Sequence, residues 1–108
     1  MDSIEELADR TRRTGERYHE FLRTPSMSAG VYVLPRGALD GQSPHAQDEV
    51  YHVVRGRARF THRDSDHAVG PGDVLFVPAH DVHRFHSIEE ELVVLVVFAP
   101  AETPPVPS

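Results

Sequence analysis

Gly37-Ala38-Leu39-Asp40-Gly41-Gln42-Ser43-Pro44-His45-Ala46-Gln47-Asp48-Glu49, continuing through Val50-Tyr51-His52-Val53-Val54 to Arg55-Gly56, carries both turn chemistry and reactive side chains. The β-branched residues Val50, Val53 and Val54 favour a strand over a helix. His45 and Glu49 on one straight strand would point the same way but stand about 13 Å apart, at roughly 3.3 Å per residue. No single ion spans that gap, because ligand bonds are about 2.0–2.2 Å long. If the two side chains cooperate, the chain bends between them, and Pro44 with the short link Ala46-Gln47-Asp48 makes a bend reasonable. A helical His-x-x-x-Glu pair would also suit a metal, but the valines that follow argue against it. A strand slipped by one residue would turn Asp48 inward in place of Glu49, since register inverts every side chain.

Outward from this stretch, residues 27–99 read as short β-rich runs: Gly30–Leu34, Glu49–Val54, Arg57–Arg63, Val74–Val77, His83–Ser87 and Leu92–Phe98. Pro35-Arg36-Gly37, Leu39-Asp40-Gly41, Arg55-Gly56, Asp64-Ser65-Asp66 and Gly70-Pro71-Gly72-Asp73 read as turns between them. Six or more strands at such intervals describe an all-β sandwich or barrel. Ala58, Phe60 and His62 alternate with Arg57, Arg59, Thr61 and Arg63, so this strand has one wet face. Leu92 to Phe98 does not alternate, which suits a central strand buried on both faces or an interface strand. Residues 1–24 are expected to be a helix, with Ser3 and Glu6 as a capping box, Gly15 weakening the middle and Thr24-Pro25-Ser26 ending it. Residues 27–100 are then the β-barrel. Residues 101–108, with three prolines, are expected to be a flexible tail.

At 108 residues the chain suffices for one domain and one core. It has no cysteine, which removes disulfides, thiolate metal sites and thiol nucleophiles. All 11 basic residues are arginine, so neither a Walker-type phosphate loop nor a Schiff-base lysine is available. The 17 acidic residues give a formal net charge of -6, which disfavours nucleic acid and anionic membranes as partners. No apolar run reaches the roughly 18–20 residues of a membrane span and the start is acidic, so a cytoplasmic location is expected.

Seven of the eight histidines fall in the β region, and imidazole is the commonest metal ligand. A second segment, Pro78-Ala79-His80-Asp81-Val82-His83, supplies a partner for the first. Together the two segments resemble the cupin family, whose motifs are G-x5-H-x-H-x3,4-E-x6-G and G-x5-P-x-G-x2-H-x3-N. Gly37, Ser43, His45, Glu49 and Gly56 follow the first spacing; Gly72, Pro78, His80, His83 and Ser87 follow the second. Ser43 stands where the first metal histidine belongs, His80 replaces a glycine and Ser87 an asparagine.

The resemblance, to small single-domain bacterial cupins of the RmlC-like, cupin-2 type, implies a double-stranded β-helix, or jelly-roll barrel, with the helix outside it. It also implies metal ligands His45, Glu49 and His83. Ser43, Gln42 or Gln47 is a candidate for a fourth position. Two imidazoles and a carboxylate with open positions suit one divalent ion, Fe(II) above Mn, Ni, Co, Cu or Zn. The implied functions are a mononuclear dioxygenase, or an isomerase or lyase, acting on a small polar organic molecule in the barrel. The alternatives are a non-catalytic binding module and a relic that has lost its metal. A homodimer is expected by the same resemblance.

Tyr51 and Phe85 share faces with Glu49 and His83 and are candidate pocket walls, although inward aromatics are more often plain core. His52, His62, His67, His80 and His86 fall on outward or loop positions and read as surface histidines. Arg55, Arg57, Arg59 and Arg63 read as protection of a solvent-side edge, with an anionic-substrate clamp as the sharper alternative.

Overall fold

The computed structural model describes residues 2–41 and 44–103. Helix α1 (Ile4–Thr14) starts where the Ser3 side chain accepts the Glu6 N–H at 3.1 Å. It stops at Gly15, whose left-handed φ of 76° lets its N–H reach the Arg12 carbonyl. The helix expected over residues 1–24 is therefore too long. Tyr18–Thr24 is strand β1, paired antiparallel with β2 (Met27–Leu34) across the Pro25-Ser26 turn. Tyr18, Phe21 and Leu22 fit helical spacing, but Phe21 and Leu22 are exposed and form no buried stripe.

Strand β3 (Asp48–His62) joins two runs that the sequence separates. Arg55-Gly56 is a bulge, not a turn: the register against β6 shifts on both sides of Arg55, and Gly56 takes φ 101°. A Cβ there would collide with the Glu91 carbonyl, so glycine is required for both conformation and space. Strand β6 (His83–Ala99) likewise merges two expected strands, with Ser87 at φ 50°. The Asp64-Ser65-Asp66 turn is also corrected, because Ser65 already opens β4 (Ser65–Val69), paired with the end of β3. Strand β5 (Val74–Val77) flanks the start of β3.

The strand order is β1-β2-β6-β3-β4, with β5 also on β3. Inside lie Tyr51, Val53, Phe60, Phe85, Leu92, Val94 and Phe98. On the outer side, Leu7 and Ala8 of α1 cover Val31, Val33 and Val93 in a second cluster. This explains the unbroken apolar run of β6. Leu92, Val94, Val96 and Phe98 face the interior and Val93 lies under the helix, while Leu95 and Val97 are only half-buried.

The curl of β3 and β6 positions the site. Glu49 pairs opposite Phe98 at one end of their ladder, and His62 pairs opposite His83 at the other. A straight ladder would hold those ends roughly 43 Å apart. Instead Glu49 and His83 touch, with Oε1 and Nε2 3.2 Å apart. The ladder closes on itself, and the irregular register around Gly56 is where it departs from straight pairing.

Candidate metal centre

Alternation along β3 sends Glu49, Tyr51 and Val53 inward and leaves Asp48, Val50 and His52 exposed. The slipped register is thus not adopted. Asp48 instead accepts the Ala79 N–H at 2.9 Å and ties the two motif segments together. His45 lies in the loop before β3, where its carbonyl accepts the His80 N–H at 2.7 Å. Its ring packs edge-on against Phe98 at 4.9 Å.

His83 opens β6 and is held by its outer nitrogen. Nδ1 is 2.8 Å from the Asp81 carbonyl, which can only accept, so Nδ1 carries the proton in the neutral ring. Nε2 then keeps its lone pair. It sits 3.1 Å from the Tyr51 hydroxyl, which donates to it, and 3.2 Å from Glu49 Oε1. Burial works against a charged His83 ring. In the charged ring Nε2 would carry hydrogen toward the Glu49 carboxylate; that acceptor, the Asp81 carbonyl and the charges of Glu49 and Asp40 together outweigh burial, so the pKa lies above the ordinary 6.5.

One ligand atom each from His45, Glu49 and His83 forms a group whose members all lie within 4.8 Å of one another. Neighbouring ligands at right angles on bonds of about 2.1 Å would be separated by roughly 3 Å, close to the Glu49–His83 distance. Both Glu49 oxygens are buried and, with the His83 ring neutral, accept no hydrogen bond. A carboxylate 1% exposed with no donor is costly unless a cation or proton answers it. The residues therefore fit a divalent ion: two imidazoles and a carboxylate converge, and the carboxylate lacks any other partner. Among the three, His45 has the most exposed side chain, at 14%.

Of the candidates for a fourth position, Gln42 and Ser43 lie outside the described residues. Gln47 is buried; its Nε2 donates to Thr103 Oγ1 at 2.7 Å, and its Oε1 accepts no hydrogen bond. Tyr51 and Phe85 are both fully buried. Tyr51 reaches the site through its hydroxyl. Phe85 packs edge-on against the Tyr51 ring at 5.1 Å and tilted against Phe60 at 4.8 Å, and belongs to the core.

The other β-region histidines are not members of that ligand group. His52 and His67 are exposed, His62 pairs with Asp81 at 2.7 Å, and His86 pairs with Asp66 at 2.7 Å. His80 is an exposed turn residue at φ 70°. Arg55, Arg59 and Arg63 pair with Glu5, Asp66 and Asp81. The expected edge protection is corrected, because β3 has β6 on one side and β4 and β5 on the other and so presents no free edge there. Arg63, then His62, hold the Asp81 carboxyl below the usual carboxylate range.

Sequence reasoning missed two buried acids. Asp40, placed in a turn by its neighbours, accepts the Tyr32 hydroxyl and the Phe85 N–H, both at 2.8 Å, and so braces the wall behind the site. Glu102, placed in the tail, is 1% exposed, with Oε2 3.1 Å from His45 Nδ1. No spacing or periodicity marks it. Ala101 and Glu102 are buried, so the tail starts as part of the body, while residues 104–108 lie outside the described residues.

The cupin domain family profile matches residues 30–98, which include the triad and stop short of Glu102. An uncharacterized protein of Streptomyces coelicolor is 48% identical over 103 residues, which span 95% of either chain. The structure of KdgF from Halomonas sp. superposes with a TM-score of 0.70 at 25% identity, over 77% of this chain and 76% of that one. An uncharacterized conserved protein with a double-stranded beta-helix domain, from Klebsiella pneumoniae, gives a TM-score of 0.77 at 19% identity, over 93% and 89%. That last likeness bears on the fold alone. Among the described residues, no helix is long and apolar enough to cross a membrane.

Proposed function

This chain belongs to the cupin domain family, and from that premise we propose that it is a mononuclear metalloenzyme acting on a small polar organic molecule inside the barrel. His45, Glu49 and His83 would hold one divalent ion, Fe(II) ahead of the other first-row metals, with Gln47 a candidate for a further position. The observation that carries the reading is Glu49, a buried carboxylate without a hydrogen-bond donor, set beside two imidazoles. When bound, such an ion supplies Lewis-acid polarisation of a substrate oxygen or, if redox-active, access to dioxygen chemistry.

The chain's own residues set the conditions for that chemistry. Phe60, Phe98 and Phe85 exclude water from the interior, which strengthens electrostatic interactions there. The Asp81 carbonyl fixes the proton of His83 on Nδ1 and leaves Nε2 for the ion. The Tyr51 hydroxyl, 3.1 Å from Nε2, holds a proton at the edge of the site.

The test is elemental analysis of protein purified without a metal-affinity tag. Near-stoichiometric metal that disappears in His45→Ala and His83→Ala supports the reading; folded protein that takes up no added divalent metal ends it. Oxygen uptake during a compound screen then separates a dioxygenase from an isomerase or lyase, which would turn over without oxygen. Metal content with no turnover favours the second reading, a non-catalytic binding module, for which the deep burial of Glu49 and His83 speaks.

A homodimer is proposed on the same footing. Val50, opposite both Phe76 and Val97, forms with Val74 an exposed apolar strip across β5, β3 and β6. Such a strip can bury itself against its own copy about a two-fold axis. Sedimentation of wild type and Phe76→Ser is the check: wild type sediments as a dimer and the variant as a monomer, and a monomeric wild type sinks the idea.

A further inference from the structure

The carboxylate of Glu102 comes from beyond both motifs and beyond the matched family region, yet it reaches the metal centre. Two contacts hold its backbone and a third holds the side chain of its neighbour. Its N–H donates to Ser28 Oγ at 2.9 Å, its carbonyl accepts from Arg23 Nη2 at 2.8 Å, and the next residue, Thr103, accepts from Gln47 at 2.7 Å. Ser28 is itself fully buried. The segment after β6 is thus stitched to β1, to β2 and to the loop that carries His45. A chain end held this way places its side chain as firmly as a strand does, and the side chain it places is a buried acid against the Nδ1 face of His45.

We propose that Glu102 is a positioning residue that fixes His45 as a metal ligand, with its carboxylate accepting the Nδ1 proton so that Nε2 is presented to the ion. The inference rests on the metal-binding reading given above. A carboxylate is acceptor-only, so at 3.1 Å it favours hydrogen on the imidazole nitrogen that faces it, here Nδ1, and the lone pair on the opposite nitrogen; in His83 the Asp81 carbonyl makes the same choice against Glu49. The negative charge behind the ring makes that lone pair a better donor to a cation. Glu102 is not itself one of the ligands, for the ligand atoms lying mutually within 4.8 Å belong to His45, Glu49 and His83 alone among the described residues. The arrangement has a purpose here. Ser43 stands where the family resemblance places a further imidazole, so an ion meets one strong donor fewer and gains from a firmer hold on those that remain.

The test uses the full chain, metal-free, with Co(II) as the probe. Nitrogen-15 chemical shifts of the imidazoles at about pH 8, where an ordinary histidine is neutral, report which nitrogen of His45 carries hydrogen. Wild type is expected to show the Nδ1–H form. Glu102→Ala is expected to move His45 toward the Nε2–H form and to weaken Co(II) binding about 10- to 100-fold, leaving the His83 tautomer unchanged. Glu102→Gln keeps an acceptor without the charge, so it should retain the tautomer and lose less affinity. If Ala disrupts folding, the Gln variant carries the test. Wild-type Co(II) affinity in a folded variant, or a His45 ring already in the Nε2–H form in wild type, overturns the assignment. If wild type binds no divalent metal, the proposed function fails by itself, and the shift of the His45 tautomer on substitution still decides what Glu102 does.

Discussion

His45 and His83 are presented to the same point by opposite kinds of support. His83 begins a 17-residue strand, is 3% exposed, and has its outer nitrogen on a backbone carbonyl only two residues away. His45 sits in a loop, keeps 14% of its side chain exposed, and faces a carboxylate brought from the end of the chain. One ligand is held by local backbone, which every sequence possesses; the other depends on a single distant side chain. A ligand supported by backbone withstands substitution around it, whereas one supported by a side chain can be tuned or lost by one change.

The largest effect should come from the ligands themselves. Glu49→Ala and His83→Ala are each expected to weaken Co(II) binding by more than about 100-fold, beyond the range seen when only a supporting group is removed. A chelator-competition titration measures this; a loss under tenfold would mean that the triad does not bind the ion. Gly56→Ala should follow. It forces a left-handed residue and a clash with the Glu91 carbonyl, and is expected to cost about 1–3 kcal/mol in chemical denaturation. Because the closure of the ladder runs through this bulge, Co(II) affinity should fall with it; stability lost without any loss of affinity would separate the curl from the site.

A contrast between supporting acids sharpens the comparison. Asp81→Asn leaves in place the main-chain carbonyl that holds His83, so Co(II) affinity should stay near wild type, against a 10- to 100-fold loss for Glu102→Ala. Equal losses in both would erase the distinction drawn between the two histidines.

Acidity should act in opposite directions with and without metal. The pKa of His83 is raised above its ordinary 6.5, so in the metal-free protein this ring contributes stability that is fully present below 6.5 and disappears as pH rises through the raised value. Metal binding needs the neutral ring, so affinity falls as pH drops below that same value. The gap in Tm between metal-loaded and metal-free protein should therefore narrow on acidification, and a gap independent of pH would contradict the role of His83. Tyr51→Phe should have the smallest effect. It keeps the ring packing, removes one buried hydrogen bond to Nε2, and is expected to cost about 1 kcal/mol by thermal denaturation without weakening Co(II) binding.

Much of this was legible in residue order. The alternation that points Glu49 inward, the turn glycines and the paired spacings that resemble the cupin motifs lead to a β-barrel and to the three candidate ligands. The failures have local causes. Tyr18, Phe21 and Leu22 satisfy helical spacing as readily as they occupy a strand, and only Gly15 in its left-handed conformation settles the boundary. Arg55-Gly56 is equally good as a turn or a bulge, because a positive φ serves both. Leu92 to Phe98 is apolar throughout, and nothing in it foretells that Val93 is covered by a helix while Leu95 and Val97 are half open.

The chain's own order of residues determined which side chains could serve as ligands and which way they face, because facing follows from a two-residue period that neighbours alone enforce. Convergence was decided elsewhere. Glu49 and His83 lie at opposite ends of a ladder that brings them together only by curling, and Glu102 reaches His45 only because Ser28 and Arg23 anchor a segment that no periodicity describes. Distance between remote residues is a property of accumulated bend and of buried hydrogen bonds, and those exist only in the folded molecule.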